Sequence, residues 1–225
     1  MKHYSINRNN LAAILSNKDI LFFIPWATKY FNITRYLSNK AKSVESLKSI
    51  VENYKILEIN NKTVFAEGNY KKGVILIGEA PGYHENKTGI PFCGQSGRLL
   101  NNIFNIINLD RNKYYITNVF FWRPDKNRKP NRNEILICKP FIEKHILLVK
   151  PKLIVLIGKT SVESLLNLKI SMKKLKRKSI LYKNYYLVNK IRAFIILHPA
   201  YILRRNQYKK VIYQDILNIK KHLNY

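Results

Sequence analysis

Two acidic side chains stand in the most glycine-rich part of the chain. Glu79 lies in the run GEAPG at 78–82, and Glu85 follows it by six residues. The chain has 13 acidic residues against 41 lysines and arginines, so two carboxylates so close together are conspicuous. Such carboxylates could stabilise a cation or orient a water molecule. The alternative is that they only neutralise neighbouring basic side chains.

An amide and an imidazole follow two apolar runs further along the chain. Asn118 comes near the end of the run 114–119, and His198 follows the run FIIL at 194–197. An amide can both donate and accept a hydrogen bond, and an imidazole can donate a hydrogen bond to a developing anion. The alternative for Asn118 is a turn cap.

A third candidate turn is Gly158-Lys159-Thr160, which is similar to the end of a nucleotide-binding P-loop. That motif needs a glycine five residues before Gly158, but Leu153 stands there. We therefore exclude nucleotide hydrolysis. The turn joins a strand to a helix, and its amides could hold a DNA phosphate, which makes Lys159 and Thr160 candidate DNA-binding residues.

Short apolar runs are predicted to form the strands that carry these side chains. The runs are 74–77, 114–119, 153–157 and 194–197. Continuous apolar strands that alternate with helices indicate a parallel sheet covered on both faces. We therefore predict an α/β fold, a three-layer α/β/α sandwich around a central four-stranded parallel sheet. Since ligands bind beyond the carboxyl ends of such strands, the carboxylate, amide and imidazole should meet in one crevice.

Helical patterns fill most of the remaining chain. They cover 43–54, 94–108, 131–149, 160–168 and 205–222, and Asn9 or Asn10 could cap a further helix through Leu15. The helix after Asn131 is favoured by a capping pattern, because Glu134 follows three residues later. Residues 1 to about 60 contain no glycine and are predicted to be mostly helical. We therefore divide the chain into a helical N-terminal extension, 1–60, and a domain, 61–225.

The charge of the chain predicts a polyanionic partner. The formal net charge is +28 and the sequence pI is near 10.1. Nucleic acid is the first candidate and an anionic membrane surface the second. The alternative is compositional drift, since the abundance of Lys, Ile and Asn is typical of an AT-rich genome.

Cysteine and histidine usage argues against a metal enzyme. The chain has two cysteines, Cys93 and Cys138, and its five histidines show no HExxH spacing. The apolar run 20–27 is too short to cross a bilayer, and the first residues lack the layout of a signal peptide. We expect a soluble, cytoplasmic protein.

Three ordered groups of residues resemble the motifs of one family, the family 4 uracil-DNA glycosylases. The segments are GEAPG at 78–82 with GIPFCG at 89–94 and SGRLL at 96–100, then YITN at 115–118 with WRP at 122–124, Asn127, Arg128, Pro130 and Glu134, then LHPAYILR at 197–204. The resemblance runs from about Val64 to about Ile219. It implies a glycosylase-like domain that hydrolyses the N-glycosidic bond of deoxyuridine in DNA, releases uracil and leaves an abasic site.

The resemblance also implies roles for the candidate residues. His198 would donate to the uracil O2, assisted by backbone N–H groups of the turn 78–80, where Gly78 and Ala80 border the uracil. Glu79 would stabilise the sugar cation and orient water, with Glu85 as second choice.

Base recognition would fall to two further residues. Phe92 would stack on the flipped uracil, although an ordinary core phenylalanine is the alternative. Asn118 would pair with O4 and N3–H, whereas cytosine presents the opposite pattern.

Basic and apolar residues outside the crevice are the candidates for DNA binding. Tyr201 and the two residues after it would fill the gap left by the flipped base. Arg204 and Arg205 would hold nearby phosphates. Lys173, Lys174 and Arg177 belong to a basic segment, 169–183, whose alternative is a solvated surface. We expect a monomer that binds single- or double-stranded DNA and no membrane.

The chain departs from the family pattern at two places. Members often hold an iron-sulfur cluster with four cysteines, but this chain has Trp122 where many have one of them, so it resembles the subgroup without the cluster. We expect no cofactor, and Trp122 should pack against 54–57 instead. Asn86 stands where an Asp is usual. Two alternatives stay open: a non-catalytic nucleic-acid-binding protein on this fold, with activity lost at Asn86, and a glycosylase for another deaminated base, such as hypoxanthine.

Overall fold

A six-stranded, mostly parallel sheet forms the centre of the part of the chain that the computed structural model describes, residues 26–54, 61–166 and 179–223. The strands are β1 (Ala66–Gly68), β2 (Val74–Gly78), β3 (Tyr115–Asn118), β4 (Leu153–Ile157), β5 (Ser179–Tyr182) and β6 (Ile191–Ile196). Their order across the sheet is β1-β3-β2-β4-β6-β5. The α/β class predicted from the sequence is confirmed.

The predicted strands lie inside the sheet and two unpredicted strands form its edges. β2 pairs in parallel with β3 and β4, and β4 pairs in parallel with β6. β1 and β5 add to the two edges in antiparallel orientation, so the sheet is larger than the four strands expected. These edge strands have three and four residues and are only partly buried, so they carry no continuous apolar run.

Helices cover both faces of this sheet. They are α1 (Trp26–Lys40), α2 (Val44–Glu52), α3 (Tyr83–Thr88), α4 (Gln95–Asn105), α5 (Arg132–Val149), α6 (Gly158–Leu166), α7 (Pro199–Arg204) and α8 (Lys209–Lys220). Asn131 accepts from the Glu134 amide at the start of α5, and the Glu134 carboxylate accepts from the Asn131 amide, as the capping pattern predicted.

Successive residues of β2 belong to different apolar layers, as expected for a strand with helices on both sides. Ile75 and Ile77 pack with α1, α2, α5 and α6, whereas Leu76 packs with α4, α7 and α8. The sheet is therefore rigidly enclosed, and the polar side chains at its carboxyl edge are held by a packed core on each side.

The two helices that precede the sheet pack on α5. Ile33 and Leu37 of α1 and Leu47 and Val51 of α2 are buried in the same apolar layer as Phe141. The helix predicted after Asn9 or Asn10 lies outside the described residues. Among the helices that are described, none has the length and apolar character needed to cross a membrane.

Candidate active site

A crevice of about 930 Å³ opens at the carboxyl edge of the sheet, around the ends of β2 and β4. Glu79 after β2, Asn118 at the end of β3 and His198 after β6 all line it. The chain runs from β2 to β3 on one side and then places β4 on the other side of β2. Such a switch in strand order opens a crevice for ligands, and the structure brings the carboxylate, amide and imidazole together there, as predicted.

Asn118 presents an unused acceptor in this crevice. Its side chain is 1% exposed, and its Oδ1 atom is buried without a hydrogen-bond partner. Gly78 lies beside it in the pairing of β2 with β3, and a Cβ at Gly78 would lie 2.5 Å from that Oδ1 and 2.4 Å from Phe92 Cζ. Only glycine leaves room there, so Gly78 permits the approach of both side chains. A buried acceptor without a partner is uncommon, and because Asn118 also lines the crevice, a ligand there could supply the missing donor.

Phe92 is held in a conformation that non-glycine residues rarely adopt. Its φ angle is +54° and its side chain is buried. A Cβ at Gly97 would lie 1.6 Å from the Phe92 carbonyl oxygen, so glycine in α4 is required for this close approach. Arg111 donates to the Pro91 carbonyl oxygen at 2.5 Å and also binds the Glu67 carboxylate. These contacts fix the turn that carries the ring.

His198 lies next to Phe92, with ring centroids 6.0 Å apart and an angle of 30° between the planes. Its Nδ1 accepts a hydrogen bond from the Ala200 amide at 3.2 Å, which leaves the proton of a neutral ring on Nε2. Burial lowers the pKa of His198 to about 4, with smaller effects from nearby charges. The imidazole is therefore neutral at pH 7 and has one N–H to donate.

Glu79 receives a hydrogen bond from the Thr160 hydroxyl at its Oε2 atom. Its carbonyl oxygen accepts from the Phe120 amide at 3.1 Å, which ties the turn after β2 to the segment after β3. Thr160, a candidate phosphate ligand, thus orients a carboxylate in the structure, and Ala80 lines the crevice beside it.

Glu85 makes two backbone hydrogen bonds that sequence reasoning did not find. Oε2 accepts from the Gly82 amide at 3.1 Å and Oε1 accepts from the Gly94 amide at 2.9 Å. The carboxylate joins two glycine-containing turns that are distant in sequence. Both of its oxygens are engaged, although the side chain still lines the crevice.

The candidate DNA-binding residues divide into those near the crevice and those outside the described chain. Lys159, Tyr201 and Arg204 line the crevice, and the exposed Arg205 places its guanidinium 5.7 Å from the centre of the Tyr201 ring. Lys173, Lys174 and Arg177 fall in the part of the chain that is not described.

Several lining residues received no role from the sequence. They are Tyr83, His84, Gln95, Ser96, Asn127, Arg128 and Lys129. Arg128 is engaged by Glu134, at 2.8 Å and 2.6 Å from its two carboxylate oxygens. The one available signal was their position within or beside the family-like motifs.

Aromatic residues fill the region around Trp122. The rings of Tyr54 and Trp122 lie 6.1 Å apart, which confirms the packing predicted for them, and Tyr54 contacts Phe141 edge-on at 5.2 Å. Trp122 donates to the Thr63 hydroxyl at 3.0 Å. Residues 55–57 lie outside the described chain.

The residues present do not fit a four-thiolate iron-sulfur cluster. Cys138 is buried within α5 and Cys93 lies in the turn next to Phe92, and these are the two cysteines of the sequence. Within the described ranges, three or more His, Cys, Asp or Glu side chains nowhere come together as metal ligands would.

Comparison with known proteins gives one consistent family. The model of the uracil DNA glycosylase superfamily matches residues 65–217. The type-4 uracil-DNA glycosylase of Sulfurisphaera tokodaii is 33% identical over 187 residues, which covers 80% of this chain and 84% of that protein. That of Saccharolobus solfataricus is 35% identical over 175 residues, covering 76% and 80%. That of Thermotoga maritima is 32% identical over 163 residues, covering 71% and 82%.

Proposed function

The chain belongs to the uracil-DNA glycosylase superfamily, and from that premise we propose that it excises uracil from DNA. It hydrolyses the N-glycosidic bond of deoxyuridine, releases uracil and leaves an abasic site for base excision repair. The observation that carries this proposal is the strand-end crevice, where the unpartnered Asn118 Oδ1 lies with the Phe92 ring and the neutral His198 imidazole. These groups suit one flat base with acceptors and a donor on its edges.

Recognition of the base rests on Asn118. Its amide oxygen accepts from the N3–H of uracil while its amide nitrogen donates to O4. Cytosine carries an acceptor at N3 and a donor at N4, so it would leave both positions mispaired. The buried, unpartnered Oδ1 supports this role, because the enzyme without substrate holds an acceptor that a uracil would satisfy.

The base must leave the helix to reach this site. The enzyme flips it out of the stack, and the Phe92 ring packs against its face. The contacts of Gly97 and Arg111 hold Phe92 in place before substrate arrives. The conformational entropy that this turn loses on binding is therefore small.

His198 acts on the charge that develops as the bond breaks. Uracil leaves as an anion, and the Nε2–H of the neutral imidazole donates to its O2. The Ala200 amide fixes the tautomer, and the lowered pKa keeps the ring from holding a second proton. One preorganised donor of this kind contributes about 3–4 kcal/mol, and backbone N–H groups of the turn from Gly78 to Ala80 add to it.

The sugar becomes a cation as the anion forms. Glu79 stabilises it and orients the attacking water, with Thr160 holding the carboxylate from one side. We assign Glu85 a supporting part, because its two oxygens bind the Gly82 and Gly94 amides. The reaction is then dissociative, with modest assistance from a base.

Residues at the rim of the crevice bind the DNA around this site. Lys159, Arg204 and Arg205 bind phosphates, and Tyr201 with the following Ile202 and Leu203 fills the space of the flipped base. We propose that Lys173, Lys174 and Arg177, which lie outside the described residues, also bind DNA phosphates.

We further propose a domain division and a cellular setting for this activity. We assign residues 61–225 to the catalytic domain, with the inner parallel strands as its central sheet, and residues 1–60 to a helical extension. The enzyme works in the cytoplasm as a monomer, with DNA as its partner.

No cofactor takes part in this proposal, and the protein represents a subgroup without the iron-sulfur cluster. Contacts among Tyr54, Trp122 and Phe141 replace metal bonds with buried aromatic area, up to about 250 Å² for one Trp. Protein purified without air should be colourless, lack broad absorbance near 400 nm and contain no iron, yet cleave uracil. Stoichiometric iron would overturn this assignment.

The decisive experiment is a glycosylase assay on oligonucleotides that carry uracil, hypoxanthine or xanthine, in single and double strands. We expect uracil release on both strand types, with alkali-sensitive abasic sites as the product. Release of hypoxanthine alone would reassign the substrate, and binding without release of any base would reassign the protein as a non-catalytic DNA-binding protein.

A further inference from the structure

An exposed tyrosine lies at the crevice rim with two cations on its ring. Tyr83 is the first residue of α3, lines the crevice and is 47% exposed. The Lys87 ammonium lies 4.5 Å from its ring centre and the Arg123 guanidinium 5.2 Å. Tyr83 as a whole residue keeps nearly half of its surface exposed with both cations near its ring, so it offers an aromatic side chain beside positive charge.

The surrounding residues hold this group in position. Arg123 donates through Nε to the Asn127 side-chain oxygen at 2.7 Å, and its carbonyl oxygen accepts from the Asn61 amide at 2.7 Å. Arg123 follows β3 and Tyr83 follows β2, so the group joins two neighbouring strand ends. Hydrogen bonds to neighbouring residues therefore hold Arg123 in position beside the Tyr83 ring.

The group lies on the other half of the crevice from Tyr201 and Arg205, two of the DNA-binding residues assigned above. Tyr201 and Arg205 follow β6, which lies across β4 from β2 and β3. Tyr201 also carries a cation near its ring, the Arg205 guanidinium at 5.7 Å. The crevice that takes the uracil is therefore flanked on each half by an aromatic ring with an adjacent positive charge.

We propose that Tyr83, with Lys87 and Arg123, forms a second nucleotide-binding platform on which a base of the strand beside the flipped uracil stacks. The inference rests on the proposed function and adds a substrate contact to it. A strand that delivers its uracil to a central pocket must leave the crevice on both sides. Aromatic rings with neighbouring cations bind single-stranded nucleotides without sequence preference, because every base has a face to stack and each linkage has a phosphate to neutralise.

The test compares Tyr83→Leu with Tyr83→Phe, which keeps the ring. The probe is a single-stranded oligonucleotide with an abasic-site analogue and 2-aminopurine as the nucleotide on its 5′ or 3′ side. In the wild-type enzyme we expect quenching of 2-aminopurine on one side. Tyr83→Leu should lose that quenching and weaken binding about 5- to 100-fold, whereas Tyr83→Phe should retain both.

The matched control is Tyr213→Leu, which removes a tyrosine of similar exposure, 48%, on α8 away from the crevice lining. It should leave binding and quenching unchanged. If Tyr83→Leu binds like the wild type, or if Tyr83→Phe loses as much as Tyr83→Leu, the platform is wrong.

The outcome is separable from that of the proposed function. Binding and quenching are measured on DNA that contains no uracil, so they report the platform even if no base is released. If the wild-type enzyme releases uracil and Tyr83→Leu binds normally, the glycosylase activity is supported and the platform is contradicted. If the wild-type enzyme releases no uracil and Tyr83→Leu binds weakly with loss of quenching, the platform is supported and the glycosylase activity is contradicted.

Discussion

Two histidines, His198 and His145, differ in their access to the crevice. His145 lies within α5, stacks on Phe65 at 4.4 Å and shares a hydrogen bond of 3.0 Å with the Tyr115 hydroxyl. Its Nδ1 is buried without a partner, and burial lowers its pKa to about 3. Burial also lowers the pKa of His198, but this residue lines the crevice, and its neutral ring holds its proton on Nε2 because Nδ1 accepts from the Ala200 amide.

The difference teaches that a shifted pKa does not by itself mark a working residue. Both imidazoles are neutral at pH 7 for the same physical reason, the cost of burying a charge. His198 stands apart because it follows a strand at the carboxyl edge of the sheet, beside Asn118 and Glu79. His145 supports the aromatic layer under α5 and meets no open space.

Replacing each histidine tests this comparison with the largest expected effect. His198→Ala should slow single-turnover uracil release about 100- to 1,000-fold, the usual loss for one charge-stabilising donor. DNA affinity should change little, because phosphate contacts dominate it. His145→Phe keeps an aromatic ring in the stack and should release uracil at close to the wild-type rate. Equal losses in the two variants would abolish the distinction.

Asn118→Asp tests whether the crevice recognises the base through the Asn118 amide. The ionised carboxylate removes the donor for the uracil O4 and places a charge near acceptors, so uracil release should fall about 10- to 100-fold. Single-turnover rates with uracil and cytosine substrates measure this, and thermal melting checks that the variant folds. Unchanged uracil kinetics would show that base recognition lies elsewhere.

The acid stability of the protein tests the lowered pKa values that the two histidines share. An unfolded histidine has a pKa near 6.5, so the unfolded state takes up a proton below that pH while the buried ring does not. Stability is therefore lost as the pH falls from about 6.5 toward the folded pKa values of about 4 and 3. His145→Phe should reduce the slope of unfolding free energy against pH, between pH 4 and 6, by about 1.4 kcal/mol per pH unit. An identical slope in urea titrations would contradict the lowered pKa.

The smallest effect is expected at the basic rim. Arg204→Gln with Arg205→Gln should weaken binding to all duplexes alike, and the slope of log K against log salt should shrink by about 0.9 for each phosphate that the variant no longer neutralises. Neutralising four residues of the basic segment 169–183 should also weaken binding and reduce the salt slope. These residues are Lys173, Lys174, Lys176 and Arg177. A slope that stays the same for that segment would assign its charge to composition. Release at saturating enzyme should be unchanged in both variants.

The inner strands could be predicted because buried parallel strands must be apolar throughout. β2, β4 and β6 follow from uninterrupted runs, whereas β1 and β5 pair only on one side and need no such run. The last helix was predicted from Arg205 but α8 begins at Lys209, because α7 and a short 3-10 helix, Asn206–Tyr208, come first. Local pattern does not resolve such a break.

The crevice could be predicted for similar reasons, but the details of its contacts could not. Topology places the ends of parallel strands together, so Asn118 and His198 could be brought to one place from sequence. The two amides bound by Glu85 come from turns that meet only after folding, and so do the cations on the Tyr83 ring. Such contacts depend on distances that spacing along a chain does not contain.

The packing of α1 and α2 on α5 has a practical consequence for anyone cutting or grafting this protein. The match to the superfamily begins at residue 65, which invites truncation just before it. A fragment made that way would lose Leu37, Leu47 and Val51 and uncover the apolar side of α5 around Phe141. A newly exposed apolar patch of this kind promotes aggregation. A fragment that is to stay free of this exposed patch should therefore keep both helices, so the boundary suitable for chain engineering lies upstream of the one that sequence similarity marks.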